Sequence, residues 1–128
     1  MGTLFKDPTA PINKVMVVDD SPVVRECVSE MLAAWGFDVI QAEDGLDALE
    51  KYQAHLGAIS FVIMDIEMPR LNGIEATKKI HDIDPSVKVV ISSGSNNPLP
   101  PEIKPCAFLP KPYRADALRE IVRQVLNG

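Results

Sequence analysis

Five short apolar runs, rich in β-branched side chains, recur along the chain and begin near Val15, Asp38, Phe61, Val87 and Ala107. Each run is almost continuously apolar, which is typical of strands covered on both faces of a parallel sheet. Apolar residues at helical spacing occupy most of the intervals between the runs and the segment after the last one. This alternation predicts an α/β domain with a single doubly wound, five-stranded parallel sheet and helices on both faces.

The fourth interval breaks this pattern. Between Ser95 and Cys106 lie four prolines, at positions 98, 100, 101 and 105. Proline inside a helix removes a backbone hydrogen bond and costs about 3 kcal/mol. We therefore expect the fourth helix to be short or missing, and a proline-stiffened loop to join the fourth and fifth strands.

The length of the chain indicates one domain, and its net charge bears on the kind of partner that it can bind. The 128 residues have the size of one domain. Residues 1–13 carry two prolines and no periodicity, which predicts a flexible N-terminal arm before a folded domain over 14–127. The 18 acidic residues exceed the 13 basic ones and give a net charge of −5, which argues against direct binding of nucleic acid.

The lengths of the apolar runs and the spacing of the cysteines indicate in which cellular compartment the protein is expected. Every apolar run is far shorter than the roughly 20 residues of a membrane-spanning helix, and the first residues lack the apolar core of a secretory signal. We therefore expect no membrane insertion and a cytoplasmic location. Cys27 and Cys106 fit no metal-binding spacing, so we expect two buried free thiols in a reducing compartment.

Polar side chains follow four of the predicted strands at their carboxyl ends, where open parallel α/β sheets bind ligands. Three carboxylates, a hydroxyl and an ammonium group are expected to converge there. Clustered carboxylates repel one another unless a cation offsets them, and hard oxygen ligands with room for water favour Mg²⁺. Beside a metal ion and a lysine, a carboxylate can attack a phosphoryl group and form an acyl phosphate. The side chains in question are Asp19, Asp20, Asp65, Ser93 and Lys111.

Four motifs, taken in order, carry a family resemblance: VVDDSPVVR, MDIEMPRLNG, the SSG after the fourth strand, and FLPKPY. The chain resembles the response-regulator receiver domains of two-component signalling, and is similar to the single-domain chemotaxis-type regulators. The resemblance runs from about residue 14 to residue 127. It implies a flavodoxin-like fold with strand order 2-1-3-4-5.

The resemblance also implies roles for the acidic residues. Asp65 corresponds to the phosphoacceptor. Mg²⁺ would be bound by the side chains of Asp20 and Asp65, by the backbone carbonyl of Glu67, and by Asp19 mainly through water.

Three further residues would form the switch, according to the resemblance. The Ser93 hydroxyl would turn toward the new phosphoryl group, and Lys111 would pair with a phosphoryl oxygen, aimed by a cis peptide bond to Pro112. Phe108 occupies the position of the aromatic side chain that swings inward with the switch.

The implied function is a phosphorylation-activated signalling switch. A sensor histidine kinase or a phosphotransfer protein would supply the phosphoryl group from a phosphohistidine, and the changed surface would bind a downstream protein target. The domain would not be an enzyme in its own right, but would assist its own phosphorylation and dephosphorylation.

Two other interpretations stay open. A receiver fold can act as a binding module without phosphorylation. Alternatively, aspartate-nucleophile phosphatases also use an aspartate after a parallel strand together with Mg²⁺, but they need a second aspartate two residues later, where this chain has Glu67. Turnover of a phosphomonoester would distinguish that class.

Overall fold

Strands and helices alternate in the computed structural model of the chain, which describes residues 14–68, 70–94, 105, 107–112 and 114–127. In chain order the elements are β1 (Lys14–Val18), α1 (Pro22–Ala34), β2 (Asp38–Ala42), α2 (Gly45–Ala54), β3 (Ile59–Asp65), α3 (Gly73–Ile83), β4 (Val89–Ser93), β5 (Ala107–Pro110) and α4 (Ala115–Asn127).

The five strands form one parallel sheet in the order β2-β1-β3-β4-β5, which confirms the predicted fold class. The register brings the carboxyl ends of the strands to one edge. Asp65 at the end of β3 pairs with Ser92, and Ser93 pairs with Pro110. The residues that follow β1, β3, β4 and β5 therefore face the same side of the molecule.

Alternating side chains of the inner strands β1, β3 and β4 enter two separate cores, as the two-residue period of a strand requires. Val15 and Val17 of β1 lie in a core with buried residues of α1 and α4. Met16 and Val18 lie in the opposite core with buried residues of α2 and α3. The inner strands are thus covered on both faces, which explains why they are mostly apolar.

Helix α1 begins directly beside the acidic pair. Ser21 is its N-cap, and the Ser21 side chain accepts a hydrogen bond from the backbone N–H of Val24 at 3.3 Å. Pro22 occupies the first turn, where a missing N–H is not needed. This capping fixes where the β1–α1 loop ends.

The predicted burial of Cys27 is wrong, because its side chain is exposed. The buried row of α1 includes Val28 and Leu32, four residues apart. Cys27 is rotated by about 100° from Val28 around the helix axis and so lies at the edge of that row. Cys106 lies outside the described residues.

Two predictions concern segments that the structure does not describe. The N-terminal arm, residues 1–13, is one. The other is the short or missing fourth helix, which falls on residues 95–105, a segment in which the structure describes only residue 105. Within the described ranges, no helix combines the length and the apolar character needed to cross a membrane.

Candidate functional site

Three carboxylates gather where β1 and β3 end. Asp19, Asp20 and Asp65 each offer an oxygen atom, and these oxygens all lie within 4.8 Å of one another. Asp19 and Asp65 are only 4% and 3% exposed, whereas Asp20 is open to solvent. The cluster therefore has a buried floor and one exposed side from which a ligand can enter.

An ammonium group sits within the cluster. Lys111 follows β5, and its Nζ atom lies 2.8 Å from Oδ2 of Asp19 and 3.4 Å from Oδ2 of Asp65. The peptide bond from Lys111 to Pro112 is cis, as the resemblance implied. The structure thus brings together the three acidic residues and the lysine that the sequence singled out.

Burial raises the pKa of Asp65 to about 6, and the negative charge of Asp19 adds to this effect. The backbone N–H of Glu67 and the Lys111 ammonium act in the opposite direction. The pKa of Lys111 is raised, since its contacts with Asp19 and Asp65 outweigh the effect of its own burial. Lys111 therefore stays charged, and Asp65 is a carboxylate whose ionised form needs a positive partner.

Asp19 is held in place from several sides. The backbone N–H of Ser21 donates to its Oδ1 at 2.9 Å, and Arg25 Nη1 donates to its backbone oxygen at 2.7 Å. Arg25 Nε is fixed in turn by Gln41 Oε1 at 3.1 Å. Sequence reasoning assigned no role to Arg25, although it lies one helical turn after Ser21 within the VVDDSPVVR motif.

The switch candidate Ser93 is buried at the end of β4, and its Oγ donates to Glu67 Oε1 at 2.9 Å. The backbone N–H of Gly94 donates to the same oxygen at 3.3 Å. Glu67 also donates its own backbone N–H to Asp65 Oδ1 at 3.2 Å. Sequence reasoning did not foresee this hydrogen bond between the Glu67 side chain and Ser93.

Close packing shapes the loop after Asp65. A Cβ atom at Gly73 would lie 2.2 Å from the backbone oxygen of Asp65, so only glycine fits there. Arg70, at a φ of 63°, forms two hydrogen bonds to the buried Asp44, at 2.6 and 2.9 Å. These bonds hold the pKa of Asp44 below its usual range. The Arg70–Asp44 pair, which the sequence did not reveal, ties the loop after β3 to the start of α2.

Phe108, the remaining switch candidate, lies on β5 beside Ile91 and is 43% exposed. It does not join the acidic cluster. Its ring is therefore exposed on the edge strand of the sheet.

A cavity of about 490 Å³ borders the cluster between α1 and the ends of β4 and β5. Its walls are mostly apolar. They are formed by Val23, Val24, Cys27, Val28, Met31, Gly94, Lys111 and Pro112.

The donor set of the cluster fits Mg²⁺. All three side chains offer hard oxygen atoms, which Mg²⁺ prefers, and the exposed side leaves room for the waters that it retains. Asp20 and Asp65 would hold the ion, with Asp19 beside them.

Comparisons with known proteins agree with this geometry. The family described as "Response regulator receiver domain" matches residues 15–123. The chemotaxis protein CheY of Bacillus subtilis (strain 168) is 34% identical over 120 residues, which cover 90% of this chain and 98% of that protein. The solved response regulator protein TrrA of Thermotoga maritima, in complex with Mg(2+)-BeF, has a TM-score of 0.78 at 28% identity and covers 89% of this chain and 99% of its own.

A second solved structure shows a relative bound to another protein. It is the CheX-CheY-BeF3-Mg+2 complex from Borrelia burgdorferi, with a TM-score of 0.75 at 28% identity, covering 89% of this chain and 87% of the matched one. From its sequence match, its sheet and its acidic cluster, the chain belongs to the response regulator receiver domain family.

Proposed function

We propose that the chain is a phosphorylation-activated switch in which Asp65 accepts a phosphoryl group from a phosphohistidine. The donor is a sensor histidine kinase or a phosphotransfer protein, and the domain works in the cytoplasm. The observation that carries this proposal is the position of Asp65, a buried carboxylate within 3.4 Å of the Lys111 ammonium and within 4.8 Å of the ligand oxygens of Asp19 and Asp20.

The chemistry is a phosphoryl transfer between two nucleophiles. A carboxylate oxygen of Asp65 forms a bond to phosphorus, and the P–N bond of the donor breaks with its electron pair passing to the ring nitrogen. The donor ring, protonated at its other nitrogen, leaves as neutral histidine. The side chains of Asp20 and Asp65, with Asp19 through water and the backbone carbonyl of Glu67, would hold a Mg²⁺ ion. Such an ion would supply positive charge that offsets the charge on the transferring group.

Lys111 contributes a fixed positive charge to the product state. Its Nζ already lies between Asp19 and Asp65, so a small movement lets it donate to a phosphoryl oxygen. The same groups would assist hydrolysis of the acyl phosphate, which returns the domain to its resting state.

The output follows from the change in charge at Asp65. Phosphorylation adds roughly −1.5 to −2 charge and three acceptor oxygens. Ser93 turns toward them, the end of β4 moves, and the Phe108 ring swings inward from its exposed position. The surface around β5 then differs between the two states, and a downstream protein target binds one of them.

The donor docks on the exposed apolar face of α1. Val23 is 73% exposed there and lines the cavity together with Lys111, whose Nζ lies 3.4 Å from Asp65 Oδ2. A donor histidine must approach Asp65 from this open side. A helix that carries the histidine could pack its apolar neighbours against Val23 and the cavity wall.

Incubation with phosphoramidate and Mg²⁺, followed by intact mass measurement, tests the proposal. The wild-type chain should gain one phosphoryl group, and Asp65→Asn should gain none. Asp82→Asn, which changes an exposed acid of α3, should label like the wild type. A chain that takes up no phosphoryl group, yet binds its partner equally with and without beryllofluoride, would instead be a binding module.

A further inference from the structure

The Glu67 side chain bridges the loop after β3 to the end of β4. Its Oε1 atom accepts hydrogen bonds from Ser93 Oγ at 2.9 Å and from the Gly94 backbone N–H at 3.3 Å. Its backbone N–H donates to Oδ1 of Asp65 at 3.2 Å. One residue thus contacts the phosphoacceptor through its backbone and the switch hydroxyl through its side chain.

These two donors are the ones that a phosphoryl group on Asp65 would use. Ser93 ends β4, the strand next to β3, and Gly94 follows it directly, while Asp65 pairs with Ser92. A hydroxyl has a single proton to donate. The Ser93 proton that is directed at Glu67 therefore cannot serve a phosphoryl oxygen at the same time, and the two acceptors compete.

We propose that Glu67 is a positioning residue that holds the Ser93 hydroxyl in the resting state, an interaction that we call the latch. Phosphorylation of Asp65 then transfers the hydrogen bond of this hydroxyl from the Glu67 carboxylate to the phosphoryl group. This inference rests on the proposed phosphorylation of Asp65. The incoming phosphoryl group repels the Glu67 carboxylate. The Ser93 hydroxyl then passes from Glu67 Oε1 to a phosphoryl oxygen.

The exchange has a direct route to the output strand. The backbone N–H of Lys111 donates to the backbone oxygen of Ser93 at 2.9 Å. Displacement of Ser93 is therefore passed to the end of β5 and to the lysine itself. Glu67 sets the free energy that the phosphoryl group must overcome before this movement occurs.

The test is a titration of the full chain with beryllofluoride at saturating Mg²⁺, followed through the amide signals of Ser93 and Gly94 by NMR. Glu67→Ala removes the latch, and Glu67→Gln keeps an acceptor of the same length without the charge. We expect Glu67→Ala to bind beryllofluoride about three- to thirtyfold more tightly, as loss of a competing charged hydrogen bond implies. Glu67→Gln should gain less. The control Glu75→Gln, an exposed acid in the first turn of α3, should bind like the wild type.

A double-mutant cycle with Ser93→Ala separates the latch from a general charge effect. If Glu67 acts through Ser93, the gain from Glu67→Ala shrinks by about threefold or more when the chain also carries Ser93→Ala, as coupled neighbours require. An equal gain with and without Ser93→Ala, or no gain in the otherwise wild-type chain, would overturn the latch. Failure of the wild type to bind beryllofluoride and to take up phosphate would instead overturn the phosphorylation of Asp65.

Discussion

The Nζ atom of Lys111 lies 3.4 Å from Oδ2 of Asp65, although β4 separates their strands in the sheet. Neighbouring strands are about 4.8 Å apart, so the two strands are separated by about 10 Å. The lysine and aspartate side chains together cross this gap. The ammonium also contacts Asp19 at 2.8 Å, so it neutralises part of the acidic cluster from within. It therefore competes with a metal ion for the Asp65 carboxylate.

Replacing Lys111 by methionine should separate metal binding from phosphorylation. Without the competing ammonium, Lys111→Met should bind Mg²⁺ about three- to tenfold more tightly, a gain of roughly 1 kcal/mol. Uptake of phosphate from phosphoramidate should slow, because the cation that pairs with the phosphoryl oxygen is gone. Isothermal titration with Mg²⁺ measures the first effect, with Lys79→Met, an exposed lysine of α3, as control. Weaker Mg²⁺ binding by Lys111→Met would contradict the competition.

A substitution on the apolar face of α1 should slow phosphoryl transfer from a protein donor without affecting the fold. Val23→Glu places a charge on a side chain that is 73% exposed, so stability should change by no more than about 0.5 kcal/mol. Transfer from a protein phosphodonor should slow by about tenfold or more, which corresponds to roughly 1.4 kcal/mol. Labelling by phosphoramidate should be unchanged. Leu56→Glu, equally apolar and 57% exposed after α2, is the matched control. Equal transfer rates in the two variants would show that the donor does not dock on α1.

The hydrogen bond between the buried Tyr52 and the partly buried Asp84 leads to a prediction of how the free energy of unfolding depends on pH. Tyr52 Oη donates to Asp84 Oδ2 at 2.7 Å, and this bond, aided by Ser86, keeps the pKa of Asp84 below its usual value. The stabilisation is fully present above the unfolded-state pKa of about 3.9 and is lost as pH falls through the folded-state pKa. Tyr52→Phe should cost about 1–2 kcal/mol at pH 7, and less near pH 3.

Urea unfolding of both chains across this pH range measures the difference. The variant Asp84→Asn keeps an acceptor but cannot ionise, so in that background the cost of Tyr52→Phe should not vary with pH. In the protein that keeps Asp84, the loss of stability caused by Tyr52→Phe should shrink on acidification. A loss that stays constant or grows would show that the hydrogen bond does not depend on the charge of Asp84.

Replacement of two glycines near the site by alanine should have different effects on the stability of the protein. Gly73→Ala would place Cβ 2.2 Å from the backbone oxygen of Asp65, and the required shift should cost about 2–3 kcal/mol and slow labelling. At Gly94, the nearest atom of the described residues to a new Cβ would be Lys111 Cβ at 3.9 Å. Gly94→Ala should therefore change stability by less than about 1 kcal/mol. Thermal and urea unfolding compare the two, and equal losses would contradict the packing argument.

The fold followed from sequence because its signals are local and repeated. Apolar runs separated by helical stripes specify a parallel sheet, and parallel strands place their carboxyl ends together. Asp19, Asp65 and Lys111 therefore had to approach one another. The strand order itself came from the family resemblance, because periodicity does not specify which strands are neighbours.

The contacts that the sequence did not reveal are made by long side chains across loops. The direction of the Glu67 carboxylate depends on the path of the chain after Asp65, and the pairing of Arg70 with Asp44 joins residues 26 positions apart. Neither leaves a periodic signal. Cys27 was misplaced for a different reason, since helical period locates the centre of a buried face more precisely than its edge.

Reductive trapping of the phosphorylated chain is the most direct measurement of the central claim. Borohydride converts an aspartyl phosphate to homoserine, and peptide mass analysis then locates the modified residue. The account predicts homoserine at position 65, formed only after incubation with phosphodonor and Mg²⁺. Homoserine at Asp19 or Asp20, or uptake of phosphate with position 65 unchanged, would contradict it.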